Sequence, residues 1–210
     1  KEYGCAVVNM GAEVTSLMIF GRGAVQHTAV FPFGGMHFTK DIAVGLRVSI
    51  PEAEKIKRRF GCVAGFLLHP EEKQEIIEIT PVGRNETRQL SKEILCDIMQ
   101  PRSIELLQHV AEEVHRVQGH ISSGVVLTGG AARMEGAVEL AEEIFHMPVR
   151  LGVPQGVTGL SEVVSNPIHA AGVGLLKYGA QLDRPRAAQR PPSGARGWIE
   201  KIRQWIGGEF

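Results

Sequence analysis

The chain opens with short apolar runs, each about as long as one β-strand. These runs cover residues 5–8, 14–20 and 24–31, and glycine and polar residues separate them. Apolar runs of this length between turn residues are typical of strands that pair with their neighbours along the chain. We therefore predict a three-stranded antiparallel meander.

Two helices are predicted after the meander. Apolar residues recur at helical spacing over residues 36–46, and Pro51 opens a second helical segment that reaches Phe60. Proline is favoured in the first turn of a helix, where its missing N–H needs no partner.

A hairpin and a long helical region occupy the middle of the chain. Residues 75–80 and 86–90 flank a turn-forming passage, and Ser91 then begins a helix. Pro101 should interrupt that helix, because proline cannot donate the backbone hydrogen bond of a helix interior. A separate helix is predicted from about residue 102 to residue 118.

Strand and helix then alternate. Residues 124–128 predict an apolar strand, residues 129–132 a glycine-rich turn, and residues 134–145 a helix. This order is typical of a compact α/β unit. A short strand over residues 149–151 and a helix over residues 167–178 are predicted to complete the folded region.

We expect the folded region to end at Gly179. Residues 181–196 contain three prolines and four arginines and almost no large apolar side chains. A segment of this composition cannot bury enough apolar surface to fold, and it is typical of a flexible linker.

The segment after the linker, residues 197–210, predicts an amphipathic helix at a membrane surface. Both tryptophans of the chain belong to its apolar stripe, and indole rings favour the lipid headgroup boundary. Docking of this helix on the protein's own core is the alternative, but docking would not need so long a spacer. The predicted membrane-binding residues are Trp198, Ile199, Ile202, Trp205 and Ile206.

Composition narrows the class of protein. The 210 residues include 43% hydrophobic and 22% charged residues with a formal net charge of zero, so charge gives no support for a nucleic-acid partner. The three cysteines and eight histidines show no metal-ligand spacing, and we expect the cysteines to be small buried side chains in a reducing cytoplasm. No run reaches the roughly 18 apolar residues of a transmembrane helix.

Three strings are candidates for binding a nucleotide. The turn at residues 9–15 has small residues whose N–H groups can approach a phosphate, and Gly129 and Gly130 let the backbone lie against a flat ligand. Glu54 and Lys57 lie three residues apart on one helix face. Taken singly, each string has a plainer explanation: a hairpin turn, an ordinary strand-to-helix turn and a solvated charged face.

Together, in this order, the strings resemble the actin, sugar-kinase and DnaK-type ATPase superfamily. Within it the chain looks most like the FtsA family, bacterial division proteins that anchor the FtsZ ring to the inner membrane. The resemblance runs nearly the full length. Its further motifs are His27-Thr28, Gly34-Gly35, residues 39–42, residues 53–57, Pro101-Arg102, residues 125–132, Phe145-His146, Val149-Arg150 and residues 171–176.

The resemblance implies an α/β fold of actin-like (ribonuclease H-like) ATPase subdomains, with a mixed sheet flanked by helices. Residues 1–49 and 119–180 would form the core subdomain, and residues 50–118 a smaller inserted α+β subdomain that carries the adenosine-facing helix. It also implies the nucleotide-binding residues. These are Asn9, Gly11, Ala12 and Thr15 on the phosphate side, Gly129, Gly130 and Ala131 as the adenosine wall, and Glu54 and Lys57 toward ribose and adenine.

The implied cofactors are ATP and Mg²⁺, with one departure from the family pattern. Asn9 stands where the family usually has an aspartate that helps to hold magnesium through water, so magnesium binding and hydrolysis should be weaker. Glu13 brings an anion to the phosphate loop, where it would oppose ATP if it points inward and be harmless if it points outward. A degenerate cleft that binds no nucleotide stays an alternative.

The implied partners are the C-terminal tail of FtsZ, further copies in actin-like filaments, and an anionic membrane surface. The tail would bind the smaller subdomain, where Arg102 is one candidate contact. The implied location is the cytoplasmic side of the inner membrane at the division septum, where the protein would be peripheral.

Other members of the superfamily remain rival interpretations. A small-molecule kinase would need a catalytic base that the chain does not offer, and neither it nor a chaperone ATPase usually ends in a linker and an amphipathic helix. A pilus-assembly adaptor shares the nucleotide motifs but reaches the membrane through a partner protein. The family's first phosphate loop lies N-terminal to everything in this chain, so we expect a fragment of a longer protein that is not by itself a complete ATPase.

Overall fold

A computed structural model of the chain describes residues 4–83, 86–117, 121–157 and 161–188. The chain divides into two compact units between Ala170 and Ala171. The amphipathic helix predicted over residues 197–210 and the last part of the predicted linker lie outside the described residues, as do Arg84 and Asn85 of the hairpin turn.

Seven strands and seven α-helices are found in the described part of the chain. The strands are β1 (Cys5–Met10), β2 (Thr15–Gly21), β3 (Ala24–Phe31), β4 (Ile76–Ile79), β5 (Arg88–Ser91), β6 (Val125–Thr128) and β7 (Val149–Leu151). The α-helices are α1 (Gly35–Leu46), α2 (Ile50–Phe60), α3 (Pro70–Lys73), α4 (Lys92–Arg116), α5 (Ala137–Phe145), α6 (Ser161–Val164) and α7 (Ala170–Ala188). Short 3₁₀-helices occupy Gly65–Leu67, Ala131–Arg133 and Pro167–His169.

The main sheet has five strands in the order β3-β2-β1-β6-β7. β1, β2 and β3 pair antiparallel, which confirms the predicted meander. β6 pairs parallel with β1 and with β7, so the sheet is mixed. Parallel pairing of β1 with β6 brings the carboxyl ends of both strands to one edge, where the predicted phosphate and adenosine turns begin.

One hydrophobic core covers a face of this sheet. Alternate residues of β1 and β2 are buried, as strand periodicity requires, among them Ala6, Val8, Leu17 and Ile19. They share the core with apolar residues of α1, α4 and α5. The predicted mixed sheet flanked by helices is confirmed.

The second sheet is the predicted hairpin. β4 and β5 pair antiparallel, with Ile77 opposite Leu90, and both side chains are buried. α2 also begins as predicted, because Ser49 accepts a hydrogen bond from the Glu52 N–H and Pro51 lies in the first turn. All of these elements belong to the first compact unit, so the proposed division at residues 50–118 stays a prediction.

The predicted break at Pro101 is wrong, because α4 runs through it as one helix of 25 residues. Leu95 and Met99 before the proline, and Leu106 and Val110 after it, are all buried on one side of the helix. Continuous packing along this side outweighs the roughly 3 kcal/mol that an interior proline costs.

Two other boundaries also differ from the prediction. α5 begins at Ala137 instead of residue 134, because Gly136 has φ of 79° and a 3₁₀-helix occupies the preceding turn. α7 continues through Gly179 to Ala188, into the predicted linker. Within the described residues, no helix is long and apolar enough to cross a membrane.

Hydrogen-bonded polar side chains join α4 to the rest of the first unit at three levels along its length. Each pair includes one residue near the start, middle or end of α4 and one from another element. The pairs are Lys92 with Glu135 at 2.8 Å, Arg102 with Asp41 at 2.7 and 3.1 Å, and Glu113 with His27 at 2.7 Å.

Candidate functional site

An open cleft of about 560 Å³ lies at the edge of the main sheet. Its walls come from the β1–β2 turn, the start of α1, α2 and the turn after β6, and its volume falls in the range of small-molecule sites. The lining residues are Gly11, Ala12, Gly35, Glu54, Lys57, Arg58, Arg59, Gly61, Gly130, Ala131, Arg133, Met134, Glu135 and Ile168.

The cleft brings together most of the residues selected from the sequence. Three separate strings meet in it, although about 120 residues separate the first from the last. The sequence-selected residues that line the cleft are Gly11, Ala12, Glu54, Lys57, Gly130 and Ala131. Asn9, Thr15 and Gly129 are not among the lining residues.

The β1–β2 turn is tied to the start of α1. The Gly35 N–H donates to the Gly11 carbonyl at 2.8 Å, and the Met36 N–H donates to the Ala12 carbonyl at 2.7 Å. The first N–H groups of a helix have no partner within the helix, and here the turn supplies one for each of these two. These two N–H groups are therefore already occupied, and the turn is fixed against the helix.

Gly11 also closes the turn itself. Its N–H donates to the Val14 carbonyl at 2.9 Å, and a Cβ at this position would lie only 2.8 Å from the same oxygen. Only glycine fits this close approach without moving the backbone.

Lys57 contacts three oxygen atoms from two helices in the cleft wall. Its ammonium donates to the Gly35 carbonyl and the Thr39 hydroxyl, each at 2.9 Å, and lies 2.6 Å from a carboxylate oxygen of Glu54. The Lys57 and Glu54 side chains are only 12% and 28% exposed. The pair is therefore not a solvated surface pair, and it joins α2 to the first turns of α1.

Glu54 is held as a carboxylate. Burial raises the pKa of this carboxyl group, but hydrogen bonds from Lys57, Thr39 and Arg58 outweigh burial and lower the pKa to about 2. The carboxylate is thus an acceptor at any physiological pH, on a wall that is otherwise rich in donors.

Two hydrogen bonds to backbone carbonyls hold the turn after β6 in place. The Thr128 hydroxyl donates to the Gly152 carbonyl at 2.9 Å, and the Gly129 N–H donates to the Pro167 carbonyl at 3.2 Å. Gly129 has φ of 90°, and a Cβ there would lie 2.6 Å from Asn9 Oδ1 and against the Met10 carbonyl. Gly129 is therefore required for the turn, which in turn presents Gly130 to the cleft.

Sequence reasoning missed three arginines of the cleft. Arg58 donates to Glu54 at 2.8 Å, Arg59 stacks on the Phe60 ring at 4.9 Å, and Arg133 follows the glycine-rich turn. With Lys57 they give four cationic side chains against the two carboxylates of the lining, Glu54 and Glu135. The sequence features that could have identified these arginines are the run Lys57-Arg58-Arg59 and the arginine directly after Ala132. This excess of positive charge suits an anionic ligand.

The remaining sequence-selected residues lie behind or beside the cleft. Thr15 is fully buried and donates to the Phe33 carbonyl at 2.8 Å, so its hydroxyl supports the turn from within. Asn9 faces Gly129 and carries a neutral amide. Glu13 is exposed and does not line the cleft. Among the described residues, no three His, Cys, Asp or Glu side chains are grouped so that they could hold a metal ion.

A family model described as cell division protein FtsA matches residues 6–174 of the chain. The chain is 42% identical over 228 residues to the cell division protein FtsA of Pseudomonas aeruginosa, an alignment that covers 100% of this chain and 52% of that protein. It is 34% identical over 222 residues to the FtsA protein of Escherichia coli K12, again covering 100% of this chain and 52% of the relative. The chain thus spans about half the length of the curated relatives it matches.

Solved structures show the same fold at low identity. MreB5 of Spiroplasma citri bound to AMPPNP superposes with a TM-score of 0.71 at 16% identity, covering 90% of this chain and 56% of that one. The PilM–PilN type IV pilus biogenesis complex gives a TM-score of 0.61 at 22% identity, covering 85% and 46%. The predicted actin-like ATPase fold is confirmed.

Alanine in place of Gly129 and alanine in place of Gly130 should have different effects on the stability of the fold. Gly129→Ala should lower the free energy of unfolding by about 2–3 kcal/mol, because alanine is strained at positive φ and its methyl group meets backbone and Asn9. Gly130→Ala should change it by less than about 1 kcal/mol, since the nearest atom to its Cβ, Ile168 Cγ2, is 3.8 Å away. Urea denaturation of both variants checks this, and equal losses would contradict the structure.

The stability of the cleft wall should depend on pH through Glu54. Because the folded-state pKa is lowered from 4.5 to about 2, the ionised form stabilises the fold above pH 4.5, and this contribution is lost as the pH falls toward 2. The upper limit of this contribution is about 3.5 kcal/mol, at about 1.4 kcal/mol for each pKa unit, and solvent around the partly exposed carboxylate reduces it. Chemical denaturation from pH 6 to pH 2 should show the parent chain losing its advantage over Glu54→Gln in this interval. A constant difference across that range would rule the effect out.

Proposed function

Because the chain belongs to the FtsA family of cell division proteins, we propose that it forms one side of an ATP-binding cleft in a protein of the bacterial division site. The chain spans about half the length of its relatives, so the opposite side of the cleft would come from the other half of a longer protein. Membership of this family disfavours the pilus-assembly adaptor, the small-molecule kinase and the chaperone ATPase.

The convergence of three separate strings on one cleft carries the proposal. Gly11, Glu54, Lys57 and Gly130 were selected from different parts of the sequence, and all four line the same cavity. Its cationic excess suits a nucleotide's phosphates, and its glycines give a flat ligand close access to the backbone. Solved neighbours of the fold include MreB5 with ADP and with AMPPNP.

Each wall would hold a different part of ATP. The β1–β2 turn at Gly11 and Ala12 would face the phosphates, and Gly130 with Ala131 would support the adenosine. The Glu54 carboxylate accepts hydrogen bonds and is the natural partner for ribose hydroxyls. Lys57 would hold that carboxylate in place, since it already donates to α1 on the other side.

Hydrolysis is proposed to be weak at most. Asn9 offers a neutral amide where a carboxylate would help to hold Mg²⁺ through water. ATP would then act mainly as a structural ligand that closes the two sides of the cleft. The exposed position of Glu13, away from the cleft lining, leaves phosphate binding unopposed.

The wider role we propose is that of an adaptor between a division polymer and a membrane. The stripe at Trp198, Ile202 and Trp205 would bind an anionic membrane, and several copies in a filament would make weak single contacts stable. The C-terminal tail of FtsZ would bind the smaller subdomain. Arg102 is one candidate for that contact. Its guanidinium already donates to the carboxylates of Asp41 and Glu105, so an acidic tail would have to compete with them.

Nucleotide binding should depend on Lys57 and not on a neighbouring lysine. In the full gene product, Lys57→Ala should weaken ATP binding at least tenfold by isothermal calorimetry, because it releases Glu54 and loosens α2 from α1. Lys55→Ala removes the same charge from the same helix, but its side chain is 76% exposed and outside the lining, so its affinity should match the parent. Equal affinities for both variants would refute the assigned cleft, provided that both keep the parent's circular dichroism spectrum.

Membrane binding should depend on which side of the helix predicted over residues 197–210 carries a charge. Trp205→Glu should abolish co-sedimentation with phosphatidylglycerol vesicles, whereas Gln204→Glu adds the same charge on the polar side and should reduce it only slightly. Trp198→Glu combined with Trp205→Glu should remain soluble even when the chain is fused to a multimer.

The same vesicles test the link to the polymer. FtsZ should pellet with vesicles only when the parent chain is present, and FtsZ lacking its C-terminal tail should stay in the supernatant. If the parent chain itself does not sediment with vesicles, the tether is wrong. If it sediments but recruits no FtsZ, only the partner is wrong.

A further inference from the structure

Two buried thiols face each other beside the cleft. Cys62 directly follows Gly61, a residue of the cleft lining, and Cys96 lies in the second turn of α4. Their sulfur atoms are 3.4 Å apart, and both side chains have no exposed surface. With Leu68 they form a small cluster separate from the main core.

We propose that Cys62 and Cys96 are a redox-convertible dithiol, which a peroxide oxidises to a disulfide that joins the end of α2 to α4. A disulfide requires a sulfur separation of about 2.05 Å, so the two sulfurs need to approach by about 1.4 Å. This is a small shift for two residues on adjacent elements. The inference does not depend on nucleotide binding.

Cys62 is the thiol that reacts first. The hydrogen bond donated by the Cys96 thiol lowers the pKa of Cys62 to about 7, while the same bond and burial raise the pKa of Cys96. The thiolate is the nucleophilic form, and the hydrogen bond from Cys96 favours the thiolate on Cys62 over that on Cys96.

The reaction balances with one molecule of hydrogen peroxide. The Cys62 thiolate attacks one peroxide oxygen, the O–O bond breaks, and Cys62 becomes a sulfenic acid with release of hydroxide. Cys96 then attacks the Cys62 sulfur, the S–O bond breaks, and the oxygen leaves as water once the Cys96 proton is accounted for. Both sulfurs are oxidised, and the peroxide is reduced to one hydroxide and one water, the hydroxide becoming water when it takes up the proton that Cys62 lost on forming the thiolate.

The bond would fix one wall of the cleft. The backbone around Cys62 pairs with the strip at Glu135, where the Val63 N–H donates to the Glu135 carbonyl at 2.9 Å and the Glu135 N–H donates to the Gly61 carbonyl at 3.2 Å. Gly61 and Glu135 both line the cleft. A disulfide to Cys96 therefore ties this wall to the longest helix of the fold.

The test is mass spectrometry of the folded chain after brief treatment with hydrogen peroxide. We expect a product lighter by two hydrogen atoms, a linked peptide pair containing Cys62 and Cys96, and a raised thermal midpoint that dithiothreitol reverses, because the bond closes a loop of 34 residues. The control Cys5→Ser should behave as the parent. Cys96→Ser should instead stop at an oxidised Cys62 that is trapped by dimedone.

Some results would overturn the proposal. These are linkage of Cys5 to either partner, sulfinic acid on Cys62 of the parent without any linked peptide, or linkage that appears only in denaturant. Unreacted thiols in a chain with an unchanged circular dichroism spectrum would equally overturn it. Diamide, which oxidises dithiols without peroxide chemistry, provides a second oxidant: if it also fails to link the folded chain, the two sulfurs cannot close.

Discussion

The ammonium of Lys57 holds together the two helices that form one wall of the cleft. It lies between the Gly35 carbonyl of α1 and the Glu54 carboxylate of its own helix α2, and it is nearly buried. A buried ammonium is costly unless its donors find partners, and here the structure gives it three oxygen atoms. This arrangement, together with the buried Ala53 and Ile56, positions α2 and the residues that it presents to the cleft.

The same wall is fixed from its other side by backbone contacts. The carbonyls of Gly11 and Ala12 cap the start of α1, so the β1–β2 turn, α1 and α2 form one connected body. Each such hydrogen bond contributes only about 1 kcal/mol net, but together they hold the site before any ligand arrives. The turn after β6, anchored by Gly152 and Pro167, gives a second wall that is rigid for its own reasons.

Local sequence patterns predicted most of the elements, and failed where distant contacts decide. The strands and α2 follow from apolar runs and from the Ser49 cap, which are local signals. The continuity of α4 through Pro101 depends on core packing against other parts of the chain, so no local rule could give it. The start of α5 depends on the left-handed conformation of Gly136, which a glycine permits but does not require.

The site shows the same division. The glycines and the pair of Glu54 and Lys57 could be selected from short strings. The other two partners of Lys57, Thr39 and Gly35, lie 18 and 22 positions away in the sequence and could not. The contact between Cys62 and Cys96 could not be predicted from their spacing, because they lie 34 positions apart in the sequence. Thr15 had the chemistry of a phosphate ligand, but burial turned its hydroxyl toward Phe33.

The three side-chain pairs along α4, Lys92 with Glu135, Arg102 with Asp41 and Glu113 with His27, also affect the register of that helix. Each pair includes a partly exposed side chain and contributes at most about 1 kcal/mol to stability. Most of the free energy that holds α4 in place therefore comes from its packing in the core. A helix that slides by one residue moves 1.5 Å and turns by about 100°, which would separate all three pairs at once. The pairs of Lys92, Arg102 and Glu113 thus favour one register of α4 against its neighbours, even though the hydrogen-bond pattern of the helix is interrupted at Pro101.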